Sequence, residues 1–235
     1  MPSLPPVGRF RLAGAEGRHA ATVRRLHVGE QLELVDGIGG RAVCAVTGSG
    51  EDLLDLDVLR LEHQPAPQPR LTVVQALPKG DRGELAVELL TEVGVDRIVP
   101  WAAHRCVTRW AGERGAKALR RWRSTAAAAA KQSRRAWWPQ VTELATTADV
   151  AKLLDTADLA FVLHEQARVG VAQLVVPPIG ELIFVVGPEG GIGADELAEL
   201  AGPTLRLGEE VLRTSTAGVV AAAALLSRTP RWTTA

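Results

Sequence analysis

Residues 1–62 and the residues beyond 70 follow different hydrophobic rhythms. In GEQLELVDGIGGRAVCAVTG, residues 29–48, apolar and polar positions alternate on both sides of Asp36-Gly37-Ile38-Gly39-Gly40. A period of two predicts a pair of half-buried strands, and the glycines supply the positive φ that a tight hairpin turn requires. Leu53, Leu56 and Val58 predict a further strand, so this part of the chain reads as a small antiparallel barrel. HQPAPQPR, 63–70, holds three prolines and little apolar content and is read as the linker. Beyond it, LTVVQAL (71–77), DRIVPW (96–101), LAFVLHE (159–165) and ELIFVVG (181–187) are short apolar runs that predict buried strands. Helical spacing separates them. In GELAVELLTEVGV, Leu85, Leu89 and Val93 share one face, Glu84 and Glu88 another, and Gly94 is the expected C-cap. Residues 113–136, DELAELA and STAGVVAAAALLS complete the helices. Strands alternating with helices predict an α/β fold with a mostly parallel sheet. The expected division is a β-rich domain over 1–67 and an α/β domain over 70–235.

Parallel sheets bind ligands beyond the carboxyl ends of their strands. His164, Glu165 and the turn GPEGG fall at such ends. GPEGGIG invites a nucleotide reading, but its spacing is neither G-x-G-x-x-G nor that of a phosphate-binding P-loop, and no lysine follows. Glu189 inside the turn would repel a phosphate. A carboxylate among glycines suits a ligand that carries positive charge or offers hydroxyls and amines, with the backbone free to approach it closely. The plainer alternative is a tight turn in which Glu189 braces its own loop.

Composition narrows the setting. Hydrophobic residues make up 46% of 235, enough for a real core, which excludes a disordered or fibrous chain. Two lone cysteines, Cys44 and Cys106, give neither a disulfide framework nor a metal-site spacing. The N-terminus lacks an apolar signal core, and the longest apolar run, 217–226, is too short to cross a bilayer. A soluble cytoplasmic protein with no metal is expected. The net charge of zero hides a local +10 over 97–135, where eleven Arg or Lys meet one acid, Glu113. Five of six tryptophans lie in or just after that segment: Trp101, Trp110, Trp122, Trp137 and Trp138. Basic residues interleaved with aromatics suit RNA, where arginine meets phosphate and rings stack on unpaired bases. A solvated basic helix with tryptophans in the core fits the same letters.

GPEGG followed by LG-x-x-V-LRT-x-TA at 207–217 resembles the SPOUT methyltransferases, and within them the RsmE family of 16S ribosomal RNA uridine-N3 methyltransferases. The likeness spans nearly the whole chain. QALPKGDRGELAVELLTEVGVDRIVPW, HRCVTRW, KQSRRAWWP and VLHEQA occur in the family's order, and GRF with H-x-x-x-V-R-R-L at 19–26 resembles its PUA-like RNA-binding barrel. The resemblance implies a trefoil-knotted α/β domain that binds S-adenosyl-L-methionine, acts as a homodimer and methylates uridine N3 of 16S rRNA in the small ribosomal subunit. It places His164 and Glu165 beside the cofactor, Gly187, Pro188, Glu189 and Gly190 in one knot loop, and Leu207, Gly208, Leu212, Arg213 and Thr214 in the other. Arg213 is the candidate for charge stabilisation and Glu189 the candidate base; the plainer alternative for Arg213 is a structural salt bridge to Glu189 or Glu210. RNA contacts are expected from Arg9, Arg24 and Arg25 in the barrel, and from Arg105, Arg109, Gln132, Ser133 and Arg135 in the basic segment. Four positions depart from the family pattern: Ser215 stands for a usual Glu, Arg134 for a usual Gly, and Ile192-Gly193 for Phe-Ser, which removes a serine N-cap. A transfer-RNA ribose 2′-O methyltransferase and an inactive RNA-binding relative are the alternatives.

Overall fold

The computed structural model describes residues 3–233 and separates them into two compact units, one reaching Ala66 and including Arg135–Trp137, the other holding the rest. The ends of the expected domains, 1, 2, 234 and 235, lie outside the described residues.

The first unit is an antiparallel sheet of β1 (Gly8–Leu12), β2 (Gln31–Val35), β3 (Gly40–Ser49) and β4 (Leu54–His63), in the order β1-β4-β3-β2. The alternation seen in the sequence sorts its faces. Leu54, Leu56 and Val58 are at most 1% exposed and meet Leu34, Ala42, Cys44 and Val46 from β2 and β3. Asp36 sets the hairpin turn by accepting from the Ile38 and Gly40 N–H groups at 2.8 and 2.9 Å, with Gly37 and Gly39 at φ 85° and 99°. Bulges at Val43/Cys44 and Val46/Gly48 add twist to β3. Between β1 and β2 lie the short helix α1 (Gly14–Arg18) and a π-helical turn, His19–Val23, which lend Ala20 and Ala21 to the core.

The second unit carries a six-stranded parallel sheet in the order β10-β8-β9-β5-β6-β7. Its strands are β5 (Arg70–Ala76), β6 (Arg97–Trp101), β7 (Gln140–Val141), β8 (Leu159–Leu163), β9 (Glu181–Val186) and β10 (Thr204–Leu205). The chain runs outward from β5 through β6 to β7, then crosses to β8 and returns to place β9 against β5. This reversal sets the carboxyl ends of β8, β9 and β10 beside one another. Helices α2 (Arg82–Val93), α3 (Gly112–Gln132), α4 (Thr147–Leu154), α5 (Ala194–Leu200) and α6 (Thr214–Leu226) cover the sheet, with α2 against α3 and α6, and α4 against α5.

Two expectations are corrected, and one open alternative is decided. The packed face of α2 is Gly83, Ala86, Val87, Leu90 and Thr91, whereas Leu85 is 44% exposed. A helix wedged between two others needs small side chains on its inner face, and Gly83 is that close to the Trp122 ring. Helix α3 stops at Gln132 rather than running to 136, because Arg134 takes a left-handed conformation, φ 56°. Trp101 and Trp122 are buried in the core, and Trp110 packs edge-on against Trp122 with ring centroids 5.0 Å apart, so these three serve packing rather than base stacking. Helix α4, absent from the sequence reading, begins with a capping box between Thr146 and Asp149. Among the described residues no helix is long and apolar enough to cross a membrane.

Candidate active site

Each strand of the β10-β8-β9 trio delivers a loop to one cavity of about 870 Å³. After β8 come His164, Glu165 and Gln166; after β9 the turn Gly187–Gly193; after β10 the segment 206–212, ending at α6. All eleven residues assigned to the cofactor by resemblance line this cavity: His164, Glu165, Gly187, Pro188, Glu189, Gly190, Leu207, Gly208, Leu212, Arg213 and Thr214.

The loops are held from below. The His164 N–H donates to the Leu205 carbonyl at 2.9 Å, joining β8 to β10, and the His164 Nδ1 accepts from the Gln166 N–H at 3.3 Å. In the glycine turn, the Gly191 N–H donates to the Pro188 carbonyl at 2.9 Å, with Gly191 at φ 68°. Glu189 braces a neighbouring loop rather than its own: one carboxylate oxygen accepts from the Lys79 N–H, after β5, at 3.2 Å. Gln75, fully buried on β5, donates through Nε2 to the Thr214 carbonyl at 3.3 Å and ties the start of α6 to the sheet. A lone amide inside the apolar run LTVVQAL is the sequence signal for this tie. The peptide groups of 207–212 make no hydrogen bonds among the described residues, which leaves their donors and acceptors free for a ligand.

Arg213 is the N-cap of α6 and exposed, and it forms no ion pair among the described residues, so neither Glu189 nor Glu210 neutralises it. Ser215 is 3% exposed and lies outside the cavity lining, next in sequence to the Thr214 that does line it. Gly193 caps α5 without any side-chain bond, as the missing serine requires. The thiols are not nucleophiles here. Burial, helped by the Asp57 charge, pushes Cys44 up to about 11, and burial also raises Cys106 against weaker opposing contacts from backbone and Arg109.

The RNA candidates divide. Arg105 lines the cavity, its Nη1 donating to the Gly190 carbonyl at 3.2 Å. Arg109 folds back on its own loop, bonding the Ala103 and His104 carbonyls at 3.2 and 2.9 Å. Gln132 ends α3 exposed, while the Ser133 hydroxyl donates to the Ala129 carbonyl at 2.7 Å. Arg9, Arg24, Arg25 and Arg135 belong to the other unit; the first three are exposed, and Arg135 Nε donates to the Trp137 carbonyl at 2.9 Å. Arg82, at the first turn of α2, also lines the cavity, although the sequence reading gave it no role. Among the described residues no acidic, histidine or cysteine cluster could hold a metal.

Residues 64–226 match the RNA methyltransferase domain model, and residues 12–59 match the RNA methyltransferase PUA domain model. A PUA domain followed by an RNA methyltransferase domain defines the class. The ribosomal RNA small subunit methyltransferase E of Mycobacterium bovis is 47% identical over 98% of this chain and 91% of its own length. Its Bacillus subtilis counterpart is 29% identical over 94% and 90%. The structure of the Neisseria gonorrhoeae protein of that name, bound to S-adenosyl methionine, matches with a TM-score of 0.82, 25% identity and coverage of 97% and 95%. The chain belongs to the ribosomal RNA small subunit methyltransferase E family.

Proposed function

We propose that this chain transfers a methyl group from S-adenosyl-L-methionine to N3 of a uridine in small-subunit ribosomal RNA. The observation that carries the reading is the single cavity into which both glycine-containing loops and the end of β8 converge. Its residues fit the cofactor. Leu163, Val186, Ile192, Leu207 and Ala217 offer apolar surface for a purine, the unpaired 207–212 peptides offer hydrogen bonds to its edge, and Glu165 and Glu189 offer negative charge to a cationic ligand. When bound, that cofactor supplies an electrophilic methyl group on a sulfonium.

The chain's own residues do the remainder. The loops hold the two reactants in line, an arrangement that contributes roughly 7–11 kcal/mol. Uridine N3 carries a proton, and its loss places negative charge on the flanking oxygens. Arg213, with no carboxylate paired to it among the described residues, is our candidate to stabilise that charge. Glu189 keeps one oxygen on Lys79 and has a second available for the N3 proton. Because N3 lies on the pairing edge, the target base must be unpaired or splayed out. The two cavity loops are read as those of a trefoil knot, and the active form as a cytoplasmic homodimer. Sedimentation that shows only a 25.0 kDa species at micromolar concentration would remove the dimer.

The function is tested by incubating the protein with labelled S-adenosylmethionine and small ribosomal subunits that lack their own modification, then digesting the RNA for nucleoside mass spectrometry. N3-methyluridine is the expected product. A methylated ribose, or unlabelled subunits where a parallel reaction labels transfer RNA, would overturn the substrate reading.

A further inference from the structure

Glu196, on α5, is the only buried charged side chain among the described residues, 1% exposed. Its Oε1 accepts from the His104 N–H at 2.8 Å and from the Thr147 hydroxyl at 2.9 Å, and Thr147 Oγ1 accepts in turn from the Trp101 indole N–H at 3.2 Å. Oε2 has no partner. The His104 imidazole lies 3.7 Å from Oε1, beyond hydrogen-bonding reach. Burying a carboxylate at this depth is costly, and packing alone would not require it. What it secures is the turn after β6, at the residue preceding Arg105.

Arg105 is exposed on the cavity rim, with Nη1 on the Gly190 carbonyl at 3.2 Å. A Cβ at Gly190 would lie 3.1 Å from the Arg105 Cβ, and one at Gly193 would lie 3.3 Å from its Nη2, so both glycines leave room for this side chain. No carboxylate pairs with Arg105 among the described residues. Nη1 is therefore anchored on the glycine turn, while the residue as a whole stays exposed with its charge unneutralised, a cation suited to phosphate oxygens.

We propose that Glu196 is a positioning residue for the RNA substrate: by holding the His104 peptide it sets the Arg105 guanidinium at the cavity mouth, where that cation receives a phosphate beside the target nucleotide. This rests on the RNA-methylation reading above. The test measures binding of a fluorescent small-subunit rRNA fragment by anisotropy, and of S-adenosylmethionine by calorimetry, for the wild type, Arg105→Ala, Glu196→Ala, Glu196→Gln and Glu196→Ala/Arg105→Ala. Arg105→Ala and Glu196→Ala should each weaken RNA binding about tenfold, as expected for a lost charge-assisted contact. The double variant should match Arg105→Ala within about twofold, since the two losses are one. Glu196→Gln, whose carbonyl still accepts from His104, should restore RNA binding, and in every alanine variant the cofactor Kd should change less than the RNA Kd. Additive losses, an equal loss of cofactor affinity, or RNA binding indifferent to Arg105→Ala would overturn the proposal. The last outcome decides even where Glu196→Ala does not fold. Wild-type protein that methylates no small-subunit RNA would remove the functional reading, while the binding cycle still judges Glu196.

Discussion

Arg213 enters α6 as its N-cap, with φ −70° and ψ 152°, and no acid among the described residues draws its charge away. A cation held unpaired at a cavity wall is poised for charge that develops only during reaction. Arg213→Ala is expected to lower kcat by about 10²–10³ with little change in cofactor Kd, read in single-turnover methyl transfer. An equal rise in cofactor Kd with kcat intact would make it a binding residue instead. Arg134 illustrates a residue whose cost is local. The family's usual glycine is replaced by arginine at φ 56°, a left-handed conformation that a Cβ disfavours by about 1 kcal/mol. Arg134→Gly is expected to raise stability by a few tenths to about 1 kcal/mol in urea unfolding, the gain being trimmed by glycine's greater freedom in the unfolded chain.

Elements meet at distances that their smallest residues set. A Cβ at Gly83 would lie 2.8 Å from the Trp122 Nε1 and 2.9 Å from its Cζ2, so α2 and α3 approach only because that side chain is missing. Gly83→Ala should destabilise by about 1–3 kcal/mol despite alanine's better helix propensity, and urea midpoints would show the sign. The outer side of α3 has a different task. Arg121 and Arg123 are tied to Glu84 and Glu143 at 3.1 and 2.7 Å, whereas Arg114, Lys117 and Arg120 are exposed with no ion pair among the described residues. Three cations spaced by three lie along one helical flank. If that flank tracks a single-stranded backbone, replacing all three with Gln should reduce the slope of log K against log salt for RNA binding by about 2. An unchanged slope would leave α3 a solvated face.

At the scale of the whole molecule, what could be read from the letters depended on how locally each feature is encoded. Strand cores such as LTVVQAL and ELIFVVG announce themselves by apolar runs, and β5 and β9 fall on them. The cavity was legible because motif residues cluster where parallel strands end. Which face of α2 packs was not, since Leu85 looks more buried than Ala86 until α3 and α6 close around the helix. The brief β7 and β10, two residues each, carry no periodicity to read. Glu196 hid for another reason: DELAELA reads as a solvated helix, and only the fold brings His104 and Thr147 to its carboxylate. The buried thiol beside that network reports how tightly the cavity unit is held. Cys106 is 4% exposed and its pKa is raised chiefly by burial, so at neutral pH an alkylating reagent reaches its thiolate only when the unit opens. A ligand bound to the closed form alone reduces the open population by the factor 1 + [L]/Kd. S-adenosylmethionine at one hundred times its Kd should therefore slow iodoacetamide labelling of Cys106 by about 100-fold, followed by mass spectrometry of the Cys106 peptide. Slowing that stays within twofold would mean that the cofactor does not bind the unit in which Cys106 is buried, or that Cys106 is exposed by local fraying that leaves the cavity loops in place.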